Sequence, residues 1–174
     1  RRIPFADAML KYGSDKPDTR FEMELVNISD VVADCGFAVF SGAVKNGGSV
    51  RGIPVKGGAS MSRKEVDALV EFVKTYGAKG LAWYKHAAGT VSSSFAKFMS
   101  EDEMNAITSK MGAGEGDLVL IVADKNAVVF DALGALRVHV AKKLGMIDKS
   151  KFNFLWVTEF PLLEYSEEDD RYYA

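Results

Sequence analysis

The sequence predicts an α+β domain of two layers, in which a mostly antiparallel sheet carries helices on one face. Two observations support this prediction. Short runs of apolar or β-branched residues, bounded by turn residues, are typical of strands, and two longer segments repeat apolar residues at the helical spacing of three and four. The composition agrees, because 48% hydrophobic and 26% charged residues in a chain of 174 are usual for a globular protein.

The first predicted element is a short helix with a polar loop behind it. Ala6, Met9 and Leu10 share one side of a helix over residues 5–12, and Gly13 ends it. The loop mixes both signs of charge around a rigid proline, so it either orients a polar ligand or pairs internally. Its charged residues are Asp15, Lys16, Asp18 and Arg20.

The next segment predicts a short helix and a strand pair. Ser29 or Asp30 is the expected helix cap, because both side chains accept hydrogen bonds from backbone amides. The apolar run at residues 37–40 predicts a strand, and residues 49–55 predict its return strand. Residues 46–48, Asn-Gly-Gly, lie between them and tolerate the positive φ of a tight hairpin.

Two capping boxes mark the starts of two helices in the middle of the chain. Ser62 precedes Glu65 by three positions, and Ser100 stands in the same relation to Glu103. The first box opens a strong amphipathic helix that ends before Gly77, and the second opens a shorter one. The apolar stripe of the first helix consists of Val66, Leu69, Val70 and Val73.

Strands are predicted beside these helices, and the longest helix follows them. Residues 80–85 predict a strand, residues 92–98 an extended piece, and residues 117–122 a well-buried strand rich in β-branched side chains. Asp124 is the expected cap of the longest helix, and Gly145 is its expected end. The apolar stripe of that helix consists of Val129, Leu133, Leu136, Val140 and Leu144.

The last segment predicts two strand-like pieces and an acidic turn. Residues 152–157 and 160–165 have strand composition, and Pro161 places an edge or a bend in the second piece. The acidic residues at 164–170 favour a solvated hairpin tip over a metal site, because they crowd together beside aromatic side chains.

Charge and cysteine content exclude several classes of function. With 22 basic and 24 acidic residues the net charge is -2, so any contact with a polynucleotide must be local. Cys35 is the single cysteine, and with only His86 and His139 it cannot build an internal disulfide or a zinc site. We therefore expect a reducing compartment. No apolar run approaches the roughly 18 residues of a membrane span.

Several sequence blocks together resemble the bacterial-type aspartyl-tRNA synthetases, which are class II enzymes. The most specific block is the loop at residues 12–21, Tyr-Gly-Ser-Asp-Lys-Pro-Asp-Thr-Arg-Phe. The similarity is spread over essentially the whole chain, so it is far more specific than any single glycine pattern. The other blocks lie at residues 50–54, 57–60, 63–64, 76–82, 122–125, 132–137, 144–145, 155–157 and 160–162.

The resemblance implies a piece of a longer enzyme. In this family an insertion called the GAD domain, with a DCoH-like α+β fold, interrupts the catalytic sheet between class motifs 2 and 3. Residues 27–149 are similar to that insertion. Residues 1–26 and 150–174 then correspond to arms of the catalytic domain that enter and leave it.

The implied reaction is the ATP-dependent aspartylation of tRNA through aspartyl-adenylate. The partners are tRNA, aspartate and ATP, with Mg²⁺ for the complete enzyme, which is expected to be a cytoplasmic homodimer without membrane contact. The motif 2 and motif 3 arginines of the family have no matching positions. We therefore assign no catalytic residue and no metal ligand, expect no cofactor on this chain alone, and expect the chain alone to be inactive.

The implied roles of individual residues are limited to two groups. Asp15, Lys16, Asp18 and Arg20 are expected near the active site, because their arm rejoins the catalytic sheet. The insertion either faces tRNA through a local basic patch or acts as a scaffold. The candidate patch consists of Lys45, Arg51, Lys56, Arg63 and Lys64.

The alternative is a non-catalytic GAD module that holds tRNA within an amidotransferase subunit. The flanks discriminate between the two, because an amidotransferase is not expected to carry both the loop at residues 13–18 and the Phe-Pro-Leu strand at residues 160–162.

Overall fold

The centre of the molecule is an antiparallel sheet. A computed structural model describes residues 1–166 and 168–174. Within these residues the sheet has five strands, and every neighbouring pair in it is antiparallel. In spatial order the strands are β2 (Val26–Asn27), β3 (Ser49–Val55), β6 (Leu118–Asp124), β4 (Ala82–Ala87) and β5 (Thr90–Ser93).

The central strand β6 is buried on both faces. Leu118, Leu120 and Val122 point into one hydrophobic cluster, whereas Val119 and Ile121 point into another. This alternation follows from the period of two in a strand, and burial on both sides explains why the strand is a continuous apolar run. The prediction of a well-buried strand here is confirmed.

Two long helices cover one face of the sheet, as predicted. They are α4 (Arg63–Lys74) and α6 (Asn126–Lys143). The capping box of Ser62 and Glu65 forms at the start of α4, with both of its hydrogen bonds present. The apolar stripes of the two helices meet β3 and β6 in a single core, so the predicted amphipathic patterns are confirmed.

Three shorter helices cover the opposite face and add a third layer. They are α2 (Ser29–Val32), α3 (Ala38–Lys45) and α5 (Glu101–Met111). Val32, Phe40 and Ile107 from these helices are fully buried against the sheet. The α+β class and the antiparallel sheet are therefore confirmed, while the placement of helices on one face holds for the long helices only.

The strand predicted at residues 37–40 is instead the start of α3. A spacing of three positions brings Phe37 and Phe40 to the same side of a helix, and their rings meet edge to face with centroids 4.8 Å apart. Residues 46–48 then end this helix and do not form a hairpin turn. Gly47 has φ +79°, a conformation that favours glycine after a helix.

The start of α6 and the segment after β5 also differ from the prediction. Asp124 is the last residue of β6, and α6 begins at Asn126 without a side-chain cap. Residues 92–98, predicted as extended, divide into the end of β5 and a 3₁₀ turn at Ala96–Phe98. Both differences arise at element boundaries, where local patterns carry the least information.

The two chain ends meet outside the main sheet. Strand β1 (Arg2–Pro4) pairs in parallel with β7 (Trp156–Thr158), and α1 (Phe5–Tyr12) packs behind them. The predicted helix over residues 5–12 is confirmed, with Gly13 at φ +63° as its end.

The strand-like pieces predicted near the C-terminus are shorter than expected. The first is reduced to β7, and the second to β8 (Glu164–Ser166), which pairs with β9 (Arg171–Tyr173). The predicted acidic turn lies between β8 and β9, and its Glu167 is outside the described residues. No helix in the described part of the chain is long and apolar enough to cross a bilayer.

Candidate functional site

The charged loop of the N-terminal arm lies directly on α6. Its first residue, Gly13, approaches the helix so closely that a Cβ there would lie 2.4 Å from the carbonyl oxygen of Phe130. A Cβ on Gly134 would in turn lie 2.3 Å from the carbonyl oxygen of Gly13. Glycine at both positions therefore permits backbone-to-backbone contact between this loop and α6.

Arg137 of α6 is 1% exposed and contacts this loop and the residues that follow it. Its Nη1 donates to the carbonyl oxygen of Asp18 at 3.0 Å, and its Nε donates to that of Met23 at 3.1 Å. The guanidinium carbon lies 4.9 Å from the ring centroid of Tyr12 and 4.4 Å from that of Phe21. The arm thus wraps a buried cation with two carbonyls and two aromatic faces.

Burial lowers the pKa of Arg137 to about 10, although the neighbouring Tyr12, Asp18 and Glu24 oppose the shift. The side chain is therefore still a cation at neutral pH. A buried cation keeps its place only where polar groups surround it, so the carbonyls of the loop are part of its solvation.

Asp18 and Arg20 pair with each other across the loop. Nη2 of Arg20 donates to Oδ2 of Asp18 at 2.7 Å, and Nε donates to Oδ1 at 3.0 Å, which is the bidentate geometry of strong ion pairs. The hydrogen bond from Arg20 lowers the pKa of Asp18, while burial opposes the shift. The sequence left open whether the loop orients a polar ligand or pairs internally, and Asp18 and Arg20 pair internally.

Asp15 and Lys16 lie at a groove between the loop and the C-terminal arm. The groove has a volume of about 470 Å³, and Trp156 and Phe160 also line it. The amide of Lys16 donates to Oγ of Ser14 at 3.1 Å, which shapes the loop. Asp18 and Arg20 line a smaller neighbouring groove of about 160 Å³, so all four charged residues of the predicted group border a groove.

The predicted basic patch does not form one surface. Arg51 is 9% exposed, and its guanidinium carbon lies 5.0 Å from the ring centroid of Phe130. It therefore lies in the core and does not contribute to an exposed basic surface. Lys45 precedes β3 and Lys56 follows it. A strand of this length separates its ends by about 20 Å, so Lys45 stands apart from the rest.

The remaining basic residues cluster at the far end of β3. Lys56 Nζ donates to Oδ2 of Asp117 at 2.7 Å, which neutralises much of its charge. Arg63 pairs with Asp67 at 2.8 Å, and Lys64 is exposed beside it. This smaller patch carries less net positive charge than the sequence suggested.

An exposed apolar surface covers the C-terminal arm. Phe152, Phe154 and Trp156 are 72%, 85% and 74% exposed. The rings of Phe152 and Phe154 stack with centroids 6.1 Å apart, and Phe160 joins Trp156 at the groove. Exposed aromatic rings of this kind are typical of an interaction surface.

The sequence pattern predicted no role for Arg137, although this residue ends the block at residues 132–137. The missed signal was its position on the helix. Arg137 lies four residues after Leu133 and three before Val140, on the stripe that faces inward. A charged residue on an inward-facing stripe indicates a buried polar contact.

The chain was compared with known proteins. A model of the GAD domain family matches residues 40–133. An aspartate–tRNA ligase from Clostridium perfringens strain 13 is 61% identical over 175 residues, which cover 100% of this chain and 29% of the relative. One from Ruminiclostridium cellulolyticum is 62% identical over 99% of the chain, and an aspartate–tRNA(Asp/Asn) ligase from Lachnoclostridium phytofermentans is 59% identical over 100%. The chain spans about 29% of the length of these relatives.

Proposed function

Because this chain belongs to the GAD domain family, we propose that it is the insertion domain, with two catalytic-domain arms, of an ATP-dependent ligase that joins aspartate to tRNA. The observation that carries the proposal is the extent of similarity. Identity of 61% to an aspartate–tRNA ligase covers 100% of this chain, so it includes both arms as well as the GAD domain. A GAD module of an amidotransferase is the weaker alternative, because the arms also match the ligases.

The arms support a docking role toward the rest of the enzyme. Their exposed aromatic surface is a suitable contact for a catalytic domain, and the groove at Asp15 and Lys16 opens on the same side as Trp156. We propose that these two residues lie near the active site, while Asp18 and Arg20 shape the loop that presents them. Residues 1–26 and 150–174 are the proposed arms, and residues 27–149 the proposed insertion.

We propose that the cofactor site of this reaction lies in the rest of the longer enzyme, because the motif 2 and motif 3 arginines of the family have no matching positions in this chain. Among the described residues no three histidine, cysteine or carboxylate side chains converge to hold a metal ion. We therefore propose that Mg²⁺ and ATP bind to the remainder of the enzyme, and that the 174-residue chain alone does not form aspartyl-adenylate. The complete enzyme is proposed to be a cytoplasmic homodimer.

The first experiment tests the activity of the longer protein. Aspartate-dependent ATP–pyrophosphate exchange and aspartylation of tRNA are measured for the complete enzyme and for this chain. We expect both activities in the complete enzyme and neither in the chain. A complete enzyme that activates no aspartate would refute the ligase assignment, and exchange by the chain alone would refute its inactivity.

The second experiment separates a tRNA-facing insertion from a scaffold. Deleting residues 27–149 and measuring adenylate formation apart from tRNA charging tests the whole domain. Charge reversal of Arg63 and Lys64 tests the patch, with Lys97→Glu, on the other side of the sheet, as the control. Each lost phosphate contact is expected to reduce the salt slope of tRNA binding by about 0.7–0.9. Unchanged affinity at low salt would contradict a contact by this patch.

A further inference from the structure

A cavity of about 730 Å³ lies in the GAD domain, on the sheet face that carries α3. The end of β6 forms its floor, α3 forms one wall, and the start of β4 forms another. Its volume falls within the range of small-molecule sites. Apolar side chains that line it are Phe37, Val39, Phe40, Leu81 and Ile121.

One polar group of the cavity wall lacks a partner. Oδ1 of Asp124 accepts a hydrogen bond from the amide of Lys125 at 2.8 Å, but Oδ2 is buried and has no hydrogen-bond partner among the described residues. A buried acceptor without a donor is unfavourable by roughly 1–3 kcal/mol. A donor on a ligand that reaches Oδ2 from the cavity would supply the missing hydrogen bond.

The charges around the cavity favour a ligand that carries both a donor and an anionic group. Asp124 lies two residues before α6, whose N-terminal dipole stabilises the carboxylate as an acceptor. Lys79 and Lys125 also line the cavity. Lys79 is exposed and is available to an anionic group such as phosphate.

We propose that this cavity binds one unpaired nucleotide whose base carries an exocyclic amine. The apolar walls contact the planar base, the carboxylate of Asp124 accepts from the amine, and Lys79 pairs with the phosphate. The source is either a free nucleotide or an unpaired nucleotide of tRNA, and the latter rests on the proposed function. Cytosine satisfies the carboxylate with N4, whereas uracil presents O4, an acceptor that the carboxylate repels.

The test compares CMP with UMP, whose bases differ at C4, an amine in cytosine and a carbonyl in uracil, and at N3, an acceptor in cytosine and an N–H donor in uracil. Each is titrated into the 174-residue chain while backbone amide shifts are followed by NMR. We expect shifts at Gly42, Gly80 and Ala123, and about tenfold tighter binding of CMP. Equal affinities, or shifts confined to another surface, would overturn the proposal. Binding of phenylalanine or leucine without any nucleotide response would overturn it too.

Variants assign each part of the site. Asp124→Asn is expected to reduce the preference for CMP to about twofold or less, because an amide both donates and accepts. Gly42 lines the cavity and has nothing within 4 Å of an added Cβ, so Gly42→Leu is expected to fold and to block both nucleotides.

Lys79→Ala is expected to weaken the binding of CMP but not that of cytidine, which has no phosphate. Lys74→Ala, on α4 at the opposite face of the sheet and outside the predicted basic patch, is the matched control and changes nothing.

The two sources are separated by an RNA hairpin with an unpaired 3′ cytidine and its blunt counterpart. Tighter binding of the overhang, lost in Gly42→Leu, supports a tRNA nucleotide. CMP binding without hairpin binding supports a free nucleotide and contradicts the tRNA source. The CMP and UMP comparison does not depend on ligase activity, so a complete enzyme that fails to charge tRNA refutes the proposed function and leaves this site standing.

Discussion

Replacing Arg137 is expected to release the N-terminal arm from the domain. The side chain makes two hydrogen bonds to arm carbonyls and lies between the rings of Tyr12 and Phe21. A charge-assisted hydrogen bond contributes about 1.5–3 kcal/mol, and each ring contact adds roughly 0.5–2 kcal/mol. The cost of burying the cation offsets several kcal/mol of this sum.

The net loss expected for Arg137→Ala is about 3–5 kcal/mol, because the substitution leaves two carbonyls unsatisfied and a cavity beside the rings of Tyr12 and Phe21. Arg137→Met keeps most of the packing volume and isolates the polar part, so we expect about 2–3 kcal/mol from two unsatisfied carbonyls. Arg137→Lys retains the charge but loses the planar stacking and one hydrogen bond, and is expected to fall between the wild type and the methionine variant.

The assay is amide hydrogen exchange combined with urea unfolding. The arm carries its own reporters, since the amide of Leu25 donates to the carbonyl of Lys11 at 2.7 Å and that of Gly13 to Met9 at 2.9 Å. We expect Arg137→Met to lower protection at these amides before it affects β3 and β6, because local opening costs less than global unfolding.

An exposed arginine supplies the control. Arg63 also lies over an aromatic ring, 5.1 Å from the centroid of Trp83, and pairs with Asp67, but its side chain is 69% exposed. Arg63→Met is expected to cost less than about 1 kcal/mol. The reasoning is refuted if Arg137→Met lowers the free energy of unfolding no more than Arg63→Met does. It is also refuted if amide protection falls in the sheet and not in the arm.

Three further changes test other contacts. Glu65→Gln is expected to weaken the fall in the free energy of unfolding at acid pH. Hydrogen bonds from the Ser62 amide and from Lys143 lower the pKa of Glu65 from 4.5 to about 2, so the contribution of Glu65 to stability is complete above pH 4.5 and is lost as the pH falls toward 2. Unfolding measured over an acid pH series checks this. Gly134→Ala is expected to destabilise by more than about 1 kcal/mol in thermal unfolding, although alanine favours helices, because its Cβ would meet a carbonyl 2.3 Å away. Asp117→Asn is expected to cost about 1.5–3 kcal/mol in urea. The asparagine oxygen can still accept from Lys56 and from the amide of Gly114, but its NH2 group then faces the amide of Gly57, and the ion pair with Lys56 is lost; an unchanged midpoint would contradict this.

The sequence predicted those elements that carry their own local signals. The capping box at Ser62, the continuous apolar run of β6 and the stripe of α6 each specify a structure within one window of residues, and all three form. The run at residues 37–40 has no such signal, because four apolar residues fit a buried strand or a buried helix equally well. Tertiary packing of Phe40 against the sheet decides for the helix.

The site was less predictable than the fold because its properties depend on partners distant in sequence. Arg51 is one of the five basic residues of the predicted patch, but its side chain faces α6, where the ring of Phe130 covers it. Arg137 contacts Asp18 across a separation of 119 positions. Neither the burial of the first nor the hydrogen bonds of the second can be obtained from local spacing, because both depend on how the arm and the helix pack.

The contact between the arm and α6 determines how the deletion of residues 27–149 can be interpreted. The deletion removes Arg137 and Gly134, so the loop loses its support together with any tRNA contact. Arg137→Met in the complete enzyme removes the charge and the hydrogen bonds of this side chain and leaves the rest of residues 27–149 in place. If this variant lowers adenylate formation and tRNA charging by the same factor, the defect of the deletion arises from an unsupported loop, and the insertion acts as a scaffold. If adenylate formation is unchanged while the deletion still reduces charging, the loss belongs to the tRNA-facing surface.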